Sequence, residues 1–94
     1  MAREIEHVKD LKRLVTFEDG YKAYIEYELY NGGIDLTHTI VPSAIGGRGI
    51  AADLTEFALE FAKEQNLKVR PTCSYVKAYI YKHKDTYGYI EDIY

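Results

Sequence analysis

Three glycines stand between a predicted strand and a predicted helix. Gly46, Gly47 and Gly49 follow an apolar-alternating run that ends at Pro42, and an amphipathic helix begins at Ile50. A strand, a glycine-rich turn and a helix N-terminus expose backbone N–H groups and the positive end of a helix dipole at one point in space. The sequence therefore predicts an anion site, suited to phosphate, at this turn.

Three side chains could take part in group transfer, and each also has a purely structural interpretation. Cys73 is either a nucleophile, which requires its thiolate form, or a small buried packing residue. His38 falls on the apolar face with Leu36 and Ile40, so it is either a general base or a core histidine. Tyr79 lies on the inward stripe of a predicted helix, where it could also serve only to pack the core. The histidines and the single cysteine are too scattered for a metal site.

The elements that position these residues begin with an antiparallel meander. Strands are predicted over residues 12–17, 21–30 and 34–41, and Asn31-Gly32 marks a hairpin. Alternation in the third strand puts four side chains on one face: Ile34, Leu36, His38 and Ile40.

A βαβ unit is predicted to follow the meander. A helix spans residues 50–65, with Asn66 as a left-handed C-cap, and a buried strand spans residues 67–73. The right-handed crossover makes that strand parallel to strand 34–41. A second helix follows over residues 74–83, and a tyrosine-rich acidic tail runs on to Tyr94. The fold class is α+β, in a single domain over residues 1–94.

Pro71 interrupts the second parallel strand. Proline cannot donate a hydrogen bond to a ladder, so it belongs at a sheet edge or at a gap between strands. Either this is an edge strand, or the parallel strands separate near Pro71 and Val41 and leave a cleft beside the glycine turn.

Composition narrows the function classes. The chain has 94 residues, a net charge of −3 and one cysteine, which together indicate one small globular domain without an internal disulfide. The negative charge and the scattered lysines argue against nucleic acid, and the apolar runs are too short for a membrane span. The start at Met1 lacks the apolar core of a signal peptide, so we expect a cytoplasmic protein.

The combined motifs resemble the GCN5-related N-acetyltransferases, whose acetyl-CoA signature reads Gln/Arg-x-x-Gly-x-Gly/Ala. Gly49 and Ala51 match its last two defined positions, while Gly46 replaces the usual Gln or Arg. The Gly-Gly-Arg-Gly turn and the segment Pro71-x-Cys73-x-Tyr75 resemble the minimal, cysteine-containing branch of about 90 residues. The resemblance covers residues 20–90.

This resemblance implies splayed parallel strands that admit the pantetheine arm of coenzyme A. It assigns Ile40 and Val41 to the pantetheine, and the pyrophosphate to the turn and the helix start. Arg48 would add a charged contact to phosphate unless it is simply solvated. The expected pyrophosphate residues are Gly46, Gly47, Arg48, Gly49, Ile50 and Ala51.

The implied activity is acyl transfer from acetyl-CoA to a small-molecule or peptide amine that the sequence does not identify. Either the amine attacks the thioester directly and Cys73 lines the pocket, or Cys73 takes the acetyl group first, with His38 as a base. Because members of the family often place a tyrosine on the second helix, the resemblance also implies that Tyr79 or Tyr81 protonates the leaving thiolate. Tyr79 is preferred because it faces inward. The acceptor pocket is expected to be shallow, suited to a large partner, or completed by a second subunit, as in a homodimer. Two alternatives stay open: a non-catalytic coenzyme A binding module and a protein-interaction domain that uses the tyrosine-rich tail.

Overall fold

A computed structural model describes residues 3–87 as a mixed sheet covered by helices. These residues form five strands, three α-helices and two short 3₁₀ helices, at Lys9–Leu11 and Ser43–Ile45. The strands are β1 Glu6–Val8, β2 Arg13–Glu18, β3 Tyr21–Tyr30, β4 Gly33–Ile40 and β5 Lys68–Arg70, and the helices are α1 Ile50–Glu64, α2 Ser74–Lys82 and α3 Lys84–Tyr87.

The strands lie in chain order, and the predicted α+β class is confirmed. Strands β1 to β4 pair antiparallel, and β5 pairs parallel to β4 after the α1 crossover. The two tight hairpins form where turn residues allow positive φ: Asp19 and Gly20 have φ of 52° and 80°, and Gly32 has 82°. The sequence missed β1 and α3, which have three and four residues and therefore too little periodicity to detect.

The hydrophobic core lies between one face of the sheet and the helices α1 and α2. Strand side chains such as Leu14, Ile25 and Leu36 meet Leu54 of α1 and Val76 of α2, and all five are fully buried. Helix α1 ends as predicted, because Asn66 takes φ of 56° and the Leu67 N–H then bonds to the Ala62 carbonyl at 2.8 Å.

A β-bulge changes the second half of β4. In its register with β3, Leu36 lies opposite Tyr27 and His38 opposite Glu26, so Thr37 is an extra residue. Because side chains alternate along a strand, one extra residue moves all later side chains to the other face. The prediction that His38 and Ile40 share the apolar face with Leu36 is therefore wrong: Leu36 is 0% exposed and Ile40 is 44% exposed.

The two parallel strands separate at Pro71. Strand β5 is shorter than the predicted 67–73, since its ladder with β4 ends at the Asp35–Arg70 pair. The Cys73 N–H still bonds to the Leu36 carbonyl at 2.9 Å, but within the described chain no backbone bond joins residues 37–40 to residues 71–73. The gap interpretation of Pro71 is thus confirmed.

Two further expectations, on the C-terminal tail and on membrane spans, are compared with the described residues. The predicted tyrosine-rich tail falls mostly on residues 88–94, which lie outside the described residues. In residues 3–87, no helix is both long enough and apolar enough to cross a bilayer.

Candidate functional site

The turn between the Ser43–Ile45 3₁₀ helix and α1 has the backbone geometry that only glycine adopts easily. Gly47 and Gly49 have φ of 76° and 78°, and apart from their own chain neighbours no atom of the described residues lies within 4 Å of where a Cβ would stand on either residue. The space beside both residues is therefore open to a ligand. Gly46 has φ of −69°, which any residue can adopt.

Backbone donors are concentrated at this turn. The N–H groups of residues 47–52 bond to no backbone carbonyl of the described chain, and Gly49, the N-cap residue of α1, makes no side-chain cap hydrogen bond. Cys73, the N-cap residue of α2, likewise makes no side-chain cap hydrogen bond. Free N–H groups at a helix start carry partial positive charge and bind anions.

A cavity of about 300 Å³ lies beside these donors. Tyr75, in the first turn of α2, forms part of its wall, and burial together with the Asp53 carboxylate raises the pKa of the Tyr75 phenol. The phenol is protonated at neutral pH, as tyrosine ordinarily is, and can donate a hydrogen bond. The other lining residues are Val41, Ile45, Gly46, Gly47, Gly49, Ile50, Ala51 and Ala52.

The structure places two of the predicted cofactor residues away from that cavity. The Arg48 guanidinium contacts the β2–β3 hairpin instead, at 3.0 Å from Glu18 and 2.6 Å from Asp19. Arg48 and Arg3 hold the pKa of the Glu18 carboxyl below its ordinary value. Ile40 ends β4 on the face opposite the helices, whereas the adjacent Val41 lines the cavity.

Cys73 lies at the N-terminus of α2, where the parallel strands separate. Its thiol is half-buried against the core, and its Sγ lies 3.4 Å from the Thr39 hydroxyl. Thr39 lies opposite Ile25, a core residue, so this contact is on the helix side of the sheet.

His38 lies on the opposite side of the sheet from Cys73. Its side chain is 67% exposed, and its Nδ1 is 3.5 Å from a Glu26 oxygen; Glu26 also accepts a hydrogen bond from Arg13 at 3.1 Å. His38 and Cys73 therefore do not form the Cys–His pair that the sequence suggested, because the Thr37 bulge turns His38 away from the helices.

Tyr79 belongs to an aromatic stack along α2 and not to the cavity wall. Its ring lies 4.1 Å from the His83 ring and 6.0 Å from the Tyr87 ring, and its hydroxyl bonds to that of Tyr87. Burial, and secondly the charge of Glu56, raises the pKa of Tyr79. The sequence analysis preferred Tyr79 to Tyr81 as proton donor and did not propose Tyr75 for that role, although Tyr75 stands one helical turn nearer Cys73.

This arrangement suits a ligand that combines phosphates with a long, mostly uncharged arm. The glycine turn offers backbone donors for phosphate, and the separated strands beside Val41 and Cys73 leave room for an extended chain. The residues that the structure describes contain no cluster of three His, Cys, Asp or Glu side chains that could hold a metal ion.

Comparison with known proteins agrees with this geometry. The family model described as GCN5-related N-acetyl-transferase matches residues 13–90. The protein NATD1 of Gallus gallus is 38% identical over 80 residues, which are 82% of this chain and 73% of that protein. NATD1 of Homo sapiens is 49% identical over 47 residues, which are 50% of this chain and 42% of that protein.

A solved structure supports the same family. The solution NMR structure of a "GCN5-like putative N-acetyltransferase" from Staphylococcus aureus superimposes with a TM-score of 0.73 at 30% identity. The match covers 96% of this chain and 89% of that chain. With a family model that spans most of its residues and a neighbour that shares its fold, this chain belongs to the GCN5-related N-acetyltransferase family.

Proposed function

We propose that this chain transfers an acetyl group from acetyl-CoA to an amine. The observation that carries the proposal is the turn at residues 47–49, whose N–H groups bond to no backbone carbonyl of the described residues and whose Gly47 and Gly49 leave open space beside a cavity. The family supports the choice of acetyl-CoA as the ligand. When bound, acetyl-CoA supplies a thioester whose acyl carbon an amine can attack.

The chain would hold coenzyme A mainly through its backbone. The N–H groups of Gly47, Gly49 and the first turn of α1 are the donors for the pyrophosphate. The backbone at Ile40 and Val41 borders the gap between the strands, where the pantetheine arm would lie. Arg48 joins the phosphate contacts only if it leaves Glu18 and Asp19.

Transfer would take place where the parallel strands separate. On the open side of the sheet, His38 would take the proton of an attacking amine, with a Glu26 oxygen 3.5 Å from its Nδ1. On the helix side, the N–H groups of residues 74–76 at the start of α2 bond to no backbone carbonyl among the described residues, and they would donate to a developing oxyanion. The C–N bond would form as the C–S bond breaks. Tyr75 would give its phenolic proton to the leaving thiolate and regain one from solvent, while His38 would release the amine proton to solvent.

The position of Cys73 leaves two routes to compare. Direct attack uses His38 and needs Cys73 only as a wall, whereas a ping-pong route acylates Cys73 first. Cys73→Ala would abolish activity in the second route and spare most of it in the first. Mass spectrometry of the protein after incubation with acetyl-CoA alone detects the acylated cysteine directly.

Gly49→Val tests the binding site by calorimetric titration with acetyl-CoA. Valine at φ of 78° is strained and would fill the space beside the turn, so we expect binding to be lost while the fold survives. Gly32→Val is the matched control: its φ is 82°, its surroundings are equally open, and it lies in the β3–β4 hairpin and not in the β2–β3 hairpin that Arg48 contacts. Unchanged affinity in Gly49→Val, or equal losses in both variants, would contradict the assignment.

Amine-dependent release of coenzyme A distinguishes catalysis from binding alone. We expect a panel of primary amines to include acceptors that release the thiol in proportion to amine concentration. A protein that binds acetyl-CoA and releases none with any amine would be the non-catalytic coenzyme A binding module.

A further inference from the structure

Arg3 reaches the glycine turn from a distant part of the sequence. Its Nη2 donates to the Arg48 carbonyl at 3.1 Å, and its Nε donates to Asp53 in the first turn of α1 at 2.8 Å. Its Nη1 donates to Glu18 at the end of β2. One guanidinium therefore joins the turn, the helix start and the sheet.

The contact with the Arg48 carbonyl determines where a neighbouring N–H group points. A trans peptide is planar, so the Arg48 carbonyl and the Gly49 N–H point in opposite directions. Because Arg3 holds the carbonyl on its own side, the Gly49 N–H is directed away from Arg3. Gly49 lines the cavity, and its N–H has no backbone acceptor in the described chain.

The second effect of Arg3 is electrostatic. Asp53 stands in the first turn of α1, where its negative charge would repel a phosphate bound to the free N–H groups. Arg3 pairs with Asp53 and Glu18, and its side chain is only 17% exposed, so the pairing is partly shielded from solvent. It thereby reduces the repulsion without itself occupying the cavity.

We infer that Arg3 is a positioning residue of the phosphate site: it orients the Arg48–Gly49 peptide so that the Gly49 N–H faces the bound anion. This inference rests on the proposed function for the identity of the ligand. It assigns a role to a residue that precedes the first strand and lies outside the segment matched by the family model.

The test compares Arg3→Met with wild type in titrations with coenzyme A and with pantetheine, which lacks the phosphates. Loss of charged hydrogen bonds predicts an affinity for coenzyme A about tenfold weaker, with the affinity for pantetheine unchanged. Arg3→Lys keeps the charge but cannot reach all three partners, so we expect it to weaken coenzyme A binding as well. Arg13→Met removes an arginine–carboxylate pair elsewhere and should bind like wild type.

The outcomes separate the possible roles. Equal losses for both ligands would indicate a general structural effect and overturn the inference. Wild-type affinity in Arg3→Met would also overturn it. Full rescue by Arg3→Lys would overturn the orienting role, because it would show that only the positive charge of Arg3 matters.

An amide NMR spectrum of the free protein supplies a readout that does not depend on coenzyme A. In Arg3→Met the Gly49 amide resonance should move while that of Gly32, in the distant β3–β4 hairpin, stays in place. If wild type fails to bind coenzyme A but the Gly49 resonance moves, the proposed function fails and the orienting role of Arg3 stands. A Gly49 resonance that does not move overturns that role.

Discussion

The two halves of β4 have opposite surroundings, although both are strand and both pair with β3. Before Thr37, Ile34 and Leu36 are buried and β5 covers the outer edge of the strand. After Thr37, His38 and Ile40 are exposed and the edge has separated from residues 71–73. The first half therefore holds the fold together and the second half is available to a ligand, with a single extra residue dividing them.

Leu36→Ala should produce the largest change in stability. Leu36 is fully buried, so its truncation leaves a cavity and should lower the free energy of unfolding by about 2–5 kcal/mol. Ile40→Ala, in the exposed half, should change it by about 0.5 kcal/mol or less. Urea denaturation measures both variants. Similar losses in the two would contradict the division of β4.

Deletion of Thr37 should weaken ligand binding in the gap between β4 and β5 while the protein still folds. The Leu36–Tyr27 and His38–Glu26 pairs can persist in a regular ladder, so each remaining side chain keeps its face. We expect a folded protein in which β4 follows β5 more closely and the affinity for coenzyme A falls by about tenfold or more, about 1.4 kcal/mol. Circular dichroism and calorimetric titration measure the two effects. A folded deletion variant with wild-type affinity would show that the bulge does not create the binding gap.

His7→Gln should change the pH dependence of stability, because His7 packs against Tyr27, which pairs with the buried half of β4. His7 packs on Tyr27, opposite Leu36, with its Nε2 2.7 Å from the Tyr27 hydroxyl. Burial, and secondly the charge of Lys9, lowers the pKa of His7 below 6.5. The unfolded chain then binds more protons, so stability should fall as pH drops below about 6.5.

Urea midpoints between pH 5 and 8, a range chosen around the ordinary histidine pKa of about 6.5, would measure this effect. The variant should show a smaller loss of stability on acidification than wild type. An identical pH profile would exclude His7 as its source.

Glu26→Gln should have the smallest effect on stability. Glu26 pairs with Arg13 and His38 on the open face, where solvent weakens ion pairs. We expect a loss of about 1 kcal/mol or less in urea denaturation. A loss as large as that of Leu36→Ala would mean that the open face contributes to the core.

Local signals in the sequence predicted most of the fold. Asn31-Gly32, Asn66 and Pro71 act through their own backbone preferences, and each has the consequence that the sequence indicated. The Thr37 bulge was missed because threonine is an ordinary strand residue and alternation looks regular on both sides of it. The error on His38 followed directly from that omission.

The candidate site was less predictable because its contacts join distant parts of the chain. The turn lies where its glycines indicated, but Arg3 and Asp53 are 50 positions apart and no local pattern connects them. Arg48 has carboxylates from the β2–β3 hairpin as partners, and these became visible only once the hairpin was placed beside the turn. Tyr75 differs from Tyr79 by one helical turn, which periodicity alone does not resolve.

The separation of β4 and β5 has a consequence for the routes by which two substrates would reach each other. If the proposed function holds, acetyl-CoA at the glycine turn would approach from the helix side, whereas an amine near His38 would approach from the other side. The two substrates would then enter through different openings and meet within the thickness of the sheet. In the direct route neither would need to leave before the other arrives, so initial rates should give intersecting lines in double-reciprocal plots, whereas the ping-pong route through Cys73 would give parallel lines.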